Sequence, residues 1–411
     1  MRSVKKRGDG QMTNERVQPH MGNVGFIIFL ALLSAFVPLS TDLYLPALPT
    51  MTTFFHVSEF TMNLTLILFF IFYSIATLVW GPLSDRYGRR PILLIGLTLY
   101  MIAGILCGIA NSAFEIIIFR VLQAIGGGVA TTIATAIIKD VYVGRKQETT
   151  LAIVQSMVVI SPALAPVFGS LLLTFISWRG IFFTQAILGL IVVLGSLIFK
   201  ETHDTSKVTV NVLQSLGRLG VLLKDPGFSA MLVNFSAVSI VSLSFISSSS
   251  YIFQVHFGLS SQMFSYFFAF NAIGMLLGPL LYIRLSKVID RMVILYACFF
   301  LGIVGGILII LFGLDNPYLF AITELPATLA SSASRPPATY LILKQQENDN
   351  GSASSLYSAG GTIMGSLGMV VVSFTTSWPV LIIAVIDIVI NVICALGLYA
   401  TLKFLRNQII L

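Results

Sequence analysis

Gly81-Pro82-Leu83-Ser84-Asp85-Arg86-Tyr87-Gly88-Arg89-Arg90-Pro91 is a basic stretch, rich in Gly and Pro, set between two long apolar runs. Gly81, Pro82 and Gly88 favour chain reversal, so it reads as a short connecting loop in which Asp85 has Arg86, Arg89 and Arg90 nearby for charge-assisted bonds. Working outward from it, apolar runs long enough to cross a bilayer, about 20 residues each, recur at 22–45, 58–80, 91–110, 114–138, 150–174, 178–199, 227–253, 260–283, 291–313, 317–343, 352–374 and 378–402. The expected fold class is an all-α integral membrane protein with twelve transmembrane helices.

Composition points the same way. Of 411 residues 56% are hydrophobic and only 10% charged, and the mean hydropathy is +0.93, too apolar for an ordinary soluble domain. The net charge of +7 does not indicate a nucleic-acid partner, because of where the cations fall. They occupy alternate connections: the N-terminal tail (Arg2, Lys5, Lys6, Arg7, Arg16), the 81–91 stretch, Lys139 to Lys146, Lys200 to Lys224, Arg284 to Arg291, Lys344, and Lys403 with Arg406, whereas the intervening connections hold only Arg179. This positive-inside distribution predicts an even number of spans with both termini in the cytoplasm. The first apolar run follows a basic tail but is long and lacks an A-x-A site, so it reads as a span and not a secretory leader. Cys107, Cys298 and Cys394 lie far apart within predicted spans, which supports neither a disulfide framework nor a metal site.

The longest polar connection, Lys200 to Lys224, splits the spans six and six. The expected organisation is a tail at 1–21, a six-helix bundle at 22–199, a linker at 200–226, a second bundle at 227–402 and a tail at 403–411. Gly278-Pro279, followed by Arg284, Lys287, Asp290 and Arg291, repeats the Gly-Pro and basic pattern of 81–91, as internal symmetry in a two-bundle transporter would.

The 81–91 stretch resembles the signature G-x-L-[AS]-D-R-x-G-R-[RK]-P of the major facilitator superfamily, with every fixed position met. The resemblance implies two pseudo-symmetric six-helix bundles around a central cavity. It also makes Gly81, Asp85, Arg86, Gly88, Arg89 and Arg90 a charged latch between helix ends, held in one conformer and released in the other. Ser40-Thr41-Asp42-Leu43-Tyr44-Leu45-Pro46-Ala47-Leu48-Pro49 resembles the D-x-Y-L-P-A-L-P run of the Bcr/CflA branch, named for bicyclomycin and chloramphenicol resistance. An acid at depth costs about 2.5–3.5 kcal/mol on insertion scales, and desolvation disfavours its charged form, a property suited to carrying an exchangeable proton. The resemblance assigns Asp42 to proton coupling.

Arg120-Val121-Leu122-Gln123 resembles the R-x-x-Q-G motif of the antiporters, although Gly126 stands three residues beyond Gln123. Since spans 1 and 4 run in opposite directions, Asp42 and Arg120 both fall in the outer part of the membrane and are expected to approach each other. Ser161-Pro162-Ala163-Leu164-Ala165-Pro166-Val167-Phe168-Gly169-Ser170 resembles the antiporter motif G-x-x-x-G-P-x-x-G-G, small residues replacing several glycines, so that Pro162, Ala165, Pro166 and Gly169 permit close helix approach and bending. Glu201-Thr202 and Phe268-Ala269-Phe270-Asn271 are weaker echoes of the same branch. Tyr44, Gln123, Tyr251, Phe267 and Asn271 are candidates for lining a substrate cavity. So are the intramembrane charges Glu324, Arg335 and Asp387, each costly enough to require a reason. Glu324 reads as a second protonation site or a cation contact, and Arg335 as an anion contact, a partner for an acid, or a side chain reaching the cytoplasmic face.

No G-x-x-x-x-G-K-[ST] loop is present, so the proton gradient, with no cofactor, is the expected energy source. The function implied is proton-coupled export of small amphiphilic compounds by a monomer in a bacterial inner membrane. Its partners would be substrate, protons and lipid, and no enzymatic activity is expected. Proton-coupled uptake and a non-transporting sensor are the alternatives.

Overall fold

The structure is a computed structural model, which describes residues 18, 21–203, 212–346, 349–375 and 377–409. The N-terminal tail cations, His20, Lys207 and the last two residues lie outside the described residues, as do the parts of the expected tails and linker that contain them.

The chain is helical almost throughout. In order the helices are α1 (Gly22–Asp42), α2 (Leu48–Phe55), α3 (Glu59–Tyr87), α4 (Arg89–Ile109), α5 (Ala113–Val141), α6 (Gly144–Leu173), α7 (Trp178–Ile198), α8 (Val212–Leu222), α9 (Pro226–Tyr251), α10 (Ser261–Leu285), α11 (Arg291–Leu308), α12 (Pro317–Gln345), α13 (Asn350–Phe374) and α14 (Pro379–Ile409). A bilayer offers no water to a free N–H or C=O, which is why the backbone satisfies itself within helices. A 3₁₀ turn, Leu45–Ala47, joins α1 to α2, so that 22–55 acts as one span. Among the described residues, eleven helices are both long and apolar enough to cross a membrane. The helix at the tenth predicted span, α12, has the length but carries Glu324, Arg335, three prolines and several Ser and Thr. The fold is that of a multi-pass membrane protein.

Side chains at the helix entries set the boundaries. Ser58, Ser112 and Ser260 accept from the backbone N–H of Thr61, Glu115 and Met263, and Asp225, Asp290, Asn316 and Asp349 do the same for their helices, satisfying donors that a first turn leaves unpaired. The 81–91 stretch, expected as a loop, is mostly helix: α3 continues through Gly81 and Pro82 to Tyr87, and only Gly88, at φ +98°, breaks it before α4 starts. Gly278 and Pro279 likewise lie inside α10. A membrane helix accommodates proline because neighbouring groups re-satisfy the freed carbonyl, so neither Gly-Pro pair ends its helix.

The helices form two groups. In the first, α3, α4 and α5 pack together, α4 against α7 and α1 against α6; in the second, α9 packs on α13 and α14, and α12 on α10 and α11. The groups meet along α3 against α13 and α6 against α10. At the end remote from Gly22, one apolar cluster spans both groups, including Leu43, Tyr44, Phe253 and Phe320. Toward the opposite end each group has its own cluster, around Leu93 and Ile133 in the first and Phe228 and Leu295 in the second. Hydrogen bonds between the groups cluster at the remote end too: Thr52 Oγ1 with Tyr251 Oη at 2.9 Å, Ser250 Oγ to the Leu45 carbonyl at 2.7 Å, Gln254 Nε2 to that of Pro46 at 3.1 Å, and Asn63 Nδ2 to Ser373 Oγ at 2.8 Å. Ser265 Oγ reaches the Pro166 carbonyl at 2.8 Å, and Ser74 to the Ala359 carbonyl is a bond nearer mid-depth. The molecule is sealed at its remote end.

Candidate functional site

Arg120 projects from α5, seven residues in from its remote end at Ala113, which at 1.5 Å per residue is about 10 Å deep. Its side chain is fully buried. The guanidinium carbon lies 4.4 Å from the ring centre of Tyr44 and 4.2 Å from that of Phe69, a stacked placement that the planar cation favours. Nη1 donates to Gln123 Oε1 at 2.7 Å, Gln123 Nε2 donates to Gln185 Oε1 at 3.0 Å, and Gln185 Nε2 to the Ser40 carbonyl at 2.9 Å. Tyr100 Oη donates to Ser40 Oγ. This chain of bonds runs from α5 through α7 to the end of α1, where Asp42 follows two residues later. Arg120 Nε and Nη2 have no partner, so the network leaves two charged donors unused.

Asp42, 5% exposed, accepts from its neighbour Thr41 Oγ1 at 3.1 Å. It does not form the expected ion pair with Arg120. Gln123 and the Tyr44 and Phe69 rings take the guanidinium, and among the described residues no cation pairs with the Asp42 carboxylate. The Gln123 to Gln185 to Ser40 chain of bonds runs from Arg120 to within two residues of Asp42.

Beside Asp42, α6 crosses α1 at Gly169, where a Cβ would collide with the Leu43 carbonyl oxygen. Ala165 and Pro166 are buried nearby, while Pro162 lies further along α6. The other candidates divide. Tyr44 and Gln123 belong to the Arg120 network, and Tyr44 Oη shares a bond with Thr65 at 3.1 Å. Tyr251 is buried in the seal between the groups. Phe267 stacks on Phe253 at 4.9 Å and meets Tyr318 edge-on. Asn271, Glu324 and Asp387 come together within the second group, linked through Thr328, and Arg335 is exposed, away from all of these.

At the opposite end the charges of the 81–91 stretch join four helices of the first group. Arg89, 4% exposed, bonds Asp85 on α3 and, through Nε at 2.9 Å, Asp140 on α5. Glu201, just beyond α7, accepts from the Arg90 backbone N–H at 2.9 Å and packs on Gly88 so closely that a Cβ there would lie 2.7 Å from its oxygen. The Arg90 guanidinium donates to the carbonyls of Ser196 and Leu197. Asp140 and Gln185 were not singled out from sequence; a lone amide or acid in an otherwise apolar run was the available signal. The cysteines are free and buried, and no group of metal-ligating side chains occurs among the described residues.

These helices, with a polar network built into a two-group bundle, define a membrane transporter, and the chain belongs to the Major Facilitator Superfamily, whose family model matches residues 30–369. It is not an enzyme. It is 26% identical over 377 residues to the uncharacterized MFS-type transporter YdgK of Bacillus subtilis, covering 90% of this chain and 94% of that protein. It is 31% identical over 182 residues to the multidrug resistance protein MdtL of Escherichia coli, a match that spans 44% of this chain and 46% of MdtL. A chloramphenicol resistance protein of Pseudomonas aeruginosa is 26% identical over 366 residues, 87% of this chain and 86% of that one. Among solved structures, a bacterial homologue of the lysosomal transporter Spinster superposes with a TM-score of 0.72 at 18% identity, covering 95% of this chain and 99% of that one. A D-xylose-proton symporter gives 0.70 at 14%, covering 90% and 97%. These two likenesses establish the fold.

Proposed function

We propose that the chain exports small amphiphilic compounds in exchange for protons, from a bacterial inner membrane with both termini in the cytoplasm, and that Asp42 carries the exchanged proton. The observation behind this is a buried carboxylate with no cationic partner among the described residues, placed where α1 meets the seal. An unpaired acid at depth is costly as an ion, so a proton arriving from the remote side removes that cost and changes the energy of the sealed conformer. The similarity to MdtL and to the chloramphenicol resistance protein supports drug-like cargo. Arg120, with two unused donors, would hold an anionic or polar group of the cargo and give it up when the groups rock apart.

One proton moving down a potential of 100 mV is worth about 2.3 kcal/mol. At about 1.4 kcal/mol per factor of ten, that sustains roughly a 50-fold substrate gradient. The test uses everted vesicles with an imposed inside-acid gradient and a chemically broad panel of drugs. The intact protein should dissipate the gradient when a substrate is added, and Asp42→Asn, expressed at the same level, should not. Full substrate-driven proton movement in Asp42→Asn would remove Asp42 from the mechanism. The small-residue replacements at Ser161, Ala165 and Ser170 in the antiporter motif favour one second reading, proton-coupled uptake, which accumulation of substrate inside energised cells would reveal.

A further inference from the structure

Glu324 lies seven residues into α12 from the remote end and Asp387 eight residues into α14. Each is 1% exposed, and their carboxyl groups are neighbours. Glu324 Oε1 accepts from Thr328 Oγ1 at 3.3 Å, whereas among the described residues no donor reaches Glu324 Oε2 or either Asp387 oxygen. Among the described residues no Lys, Arg or His forms an ion pair with either acid. The helices around the pair add no charge: α11 presents Gly306, where a Cβ would stand 3.1 Å from Asp387 Cβ, α14 presents Asn391, which bonds the Asp387 carbonyl, and α10 presents Asn271.

We propose that Glu324 and Asp387 form a proton-binding site in the second group of helices, holding one proton between the two carboxyl groups. Two carboxylates in contact and away from water cannot both stay ionised. Adding one proton to either oxygen creates an O–H that donates to the other carboxylate, and the charge of the pair falls from −2 to −1. Asn271 is an independent sign that something else is bound. Its Oδ1 shares the single Thr328 Oγ1 hydrogen with Glu324 Oε1, at 3.0 Å and 3.3 Å, which sets it beside Glu324, yet its Nδ2, equally buried, has no acceptor among the described residues. That N–H is placed for the oxygen of a water that delivers or removes the proton.

The placement mirrors the first group. Arg120 is seven residues into α5 and Gln185 seven into α7, so equivalent depths hold a permanent cation in one half of the molecule and a titratable pair in the other. The proposal adds a second proton site to the export reading, but its measurement requires no transport. Infrared difference spectra between neutral and alkaline pH, in H₂O and D₂O, would be recorded on the intact protein and on variants reconstituted in lipid. With every variant made in an Asp42→Asn background, so that the Asp42 carboxyl adds no signal, the expected result is a deuterium-sensitive protonated-carboxyl band that is present with the dyad intact, shifted by E324Q and by D387N, and absent from E324Q/D387N. Survival of the band in the double variant, or no shift in either single variant, overturns the proposal. So does loss of the band from the intact protein at neutral pH on adding Na⁺ or K⁺, which would make this a metal-ion site. Should the dyad variants fail to fold, the spectrum of Asp42→Asn decides: no such band there overturns the proposal equally. A failed export reading would leave the band in place, so the two failures are distinguishable.

Discussion

Replacing Gly169 by alanine tests whether the crossing of α6 over the end of α1 positions the Asp42 carboxyl. The added Cβ would run into the Leu43 carbonyl oxygen, with the Leu43 carbonyl carbon at 2.9 Å and Cα at 3.4 Å. All three are backbone atoms, so no rotamer change relieves the clash. Restoring ordinary contact, about 3.5 Å or more between non-bonded heavy atoms, requires the helices to part by roughly an ångström. Such overpacking costs about 1–3 kcal/mol, offset by about 0.5–1 kcal/mol because alanine is the better helix residue. The net is a loss of about 1 kcal/mol, within a range of about 0–2.5 kcal/mol. Asp42 precedes Leu43, so the same displacement moves its carboxyl, and gradient-driven efflux should fall about tenfold, an effect of about 1.4 kcal/mol on the coupled step. Gly25→Ala is the control: it sits on the exposed face of α1, its new Cβ would meet only Met21 Cβ at 4.0 Å, and it should stabilise slightly. The assays are the unfolding midpoint in detergent and efflux from vesicles. If Gly169→Ala is as stable as Gly25→Ala and exports at the parent rate, the contact has no role in positioning Asp42.

Two further outcomes follow from the charged networks. Arg120→Lys keeps the charge but cannot lie flat between the Tyr44 and Phe69 rings while holding Gln123; with desolvated cation–π contact worth about 2 kcal/mol, efflux should drop at least tenfold, and parent-like efflux would show that charge alone suffices. In the latch, Asp140 is 19% exposed and Asp85 49% exposed at the side chain, and exposed pairs contribute about 0–1 kcal/mol. Asp140→Asn should therefore lower the unfolding midpoint clearly more than Asp85→Asn, and the reverse order would refute the assignment of Asp140 as the main partner of Arg89.

Twelve apolar runs were legible because a bilayer demands long uninterrupted helices, and the twelve long helices follow them closely. The 81–91 stretch misled in one respect. Gly81 and Pro82 are loop residues in water, but in a membrane-spanning helix the neighbouring α5 packs against them, Thr132 lying 3.6 Å from a Gly81 Cβ, and the helix runs on. Individual charged residues were also legible from their cost at depth, Glu324 and Asp387 among them. Pairings were not. Whether Arg120 meets Asp42 or Gln123 depends on rotation about α5 and on which rings fill the space, and no spacing along the chain records that. Gln185 escaped notice for the same reason: its function arises from facing Gln123 and the Ser40 carbonyl, 62 and 145 residues away.

Under the proposed function, the position of Asp42 relative to the seal would give the proton enough leverage to move the molecule. The residues that follow it supply the seal: the Leu45 carbonyl to Ser250, the Pro46 carbonyl to Gln254, and Thr52 to Tyr251. A hydrogen bond contributes about 1 kcal/mol net, so these three hold the remote end with about 3 kcal/mol beyond the apolar contacts. The cost of an uncompensated carboxylate at depth, about 2.5–3.5 kcal/mol, is of the same size. Binding or losing one proton at Asp42 therefore shifts the conformer ratio by a factor comparable to making or breaking the whole set, on the order of 100-fold. No long relay is required, because two of the three seal contacts, at Leu45 and Pro46, lie within about one turn of Asp42. Coupling as proposed would be local in sequence at the first half, where Asp42 adjoins the contacts of the seal.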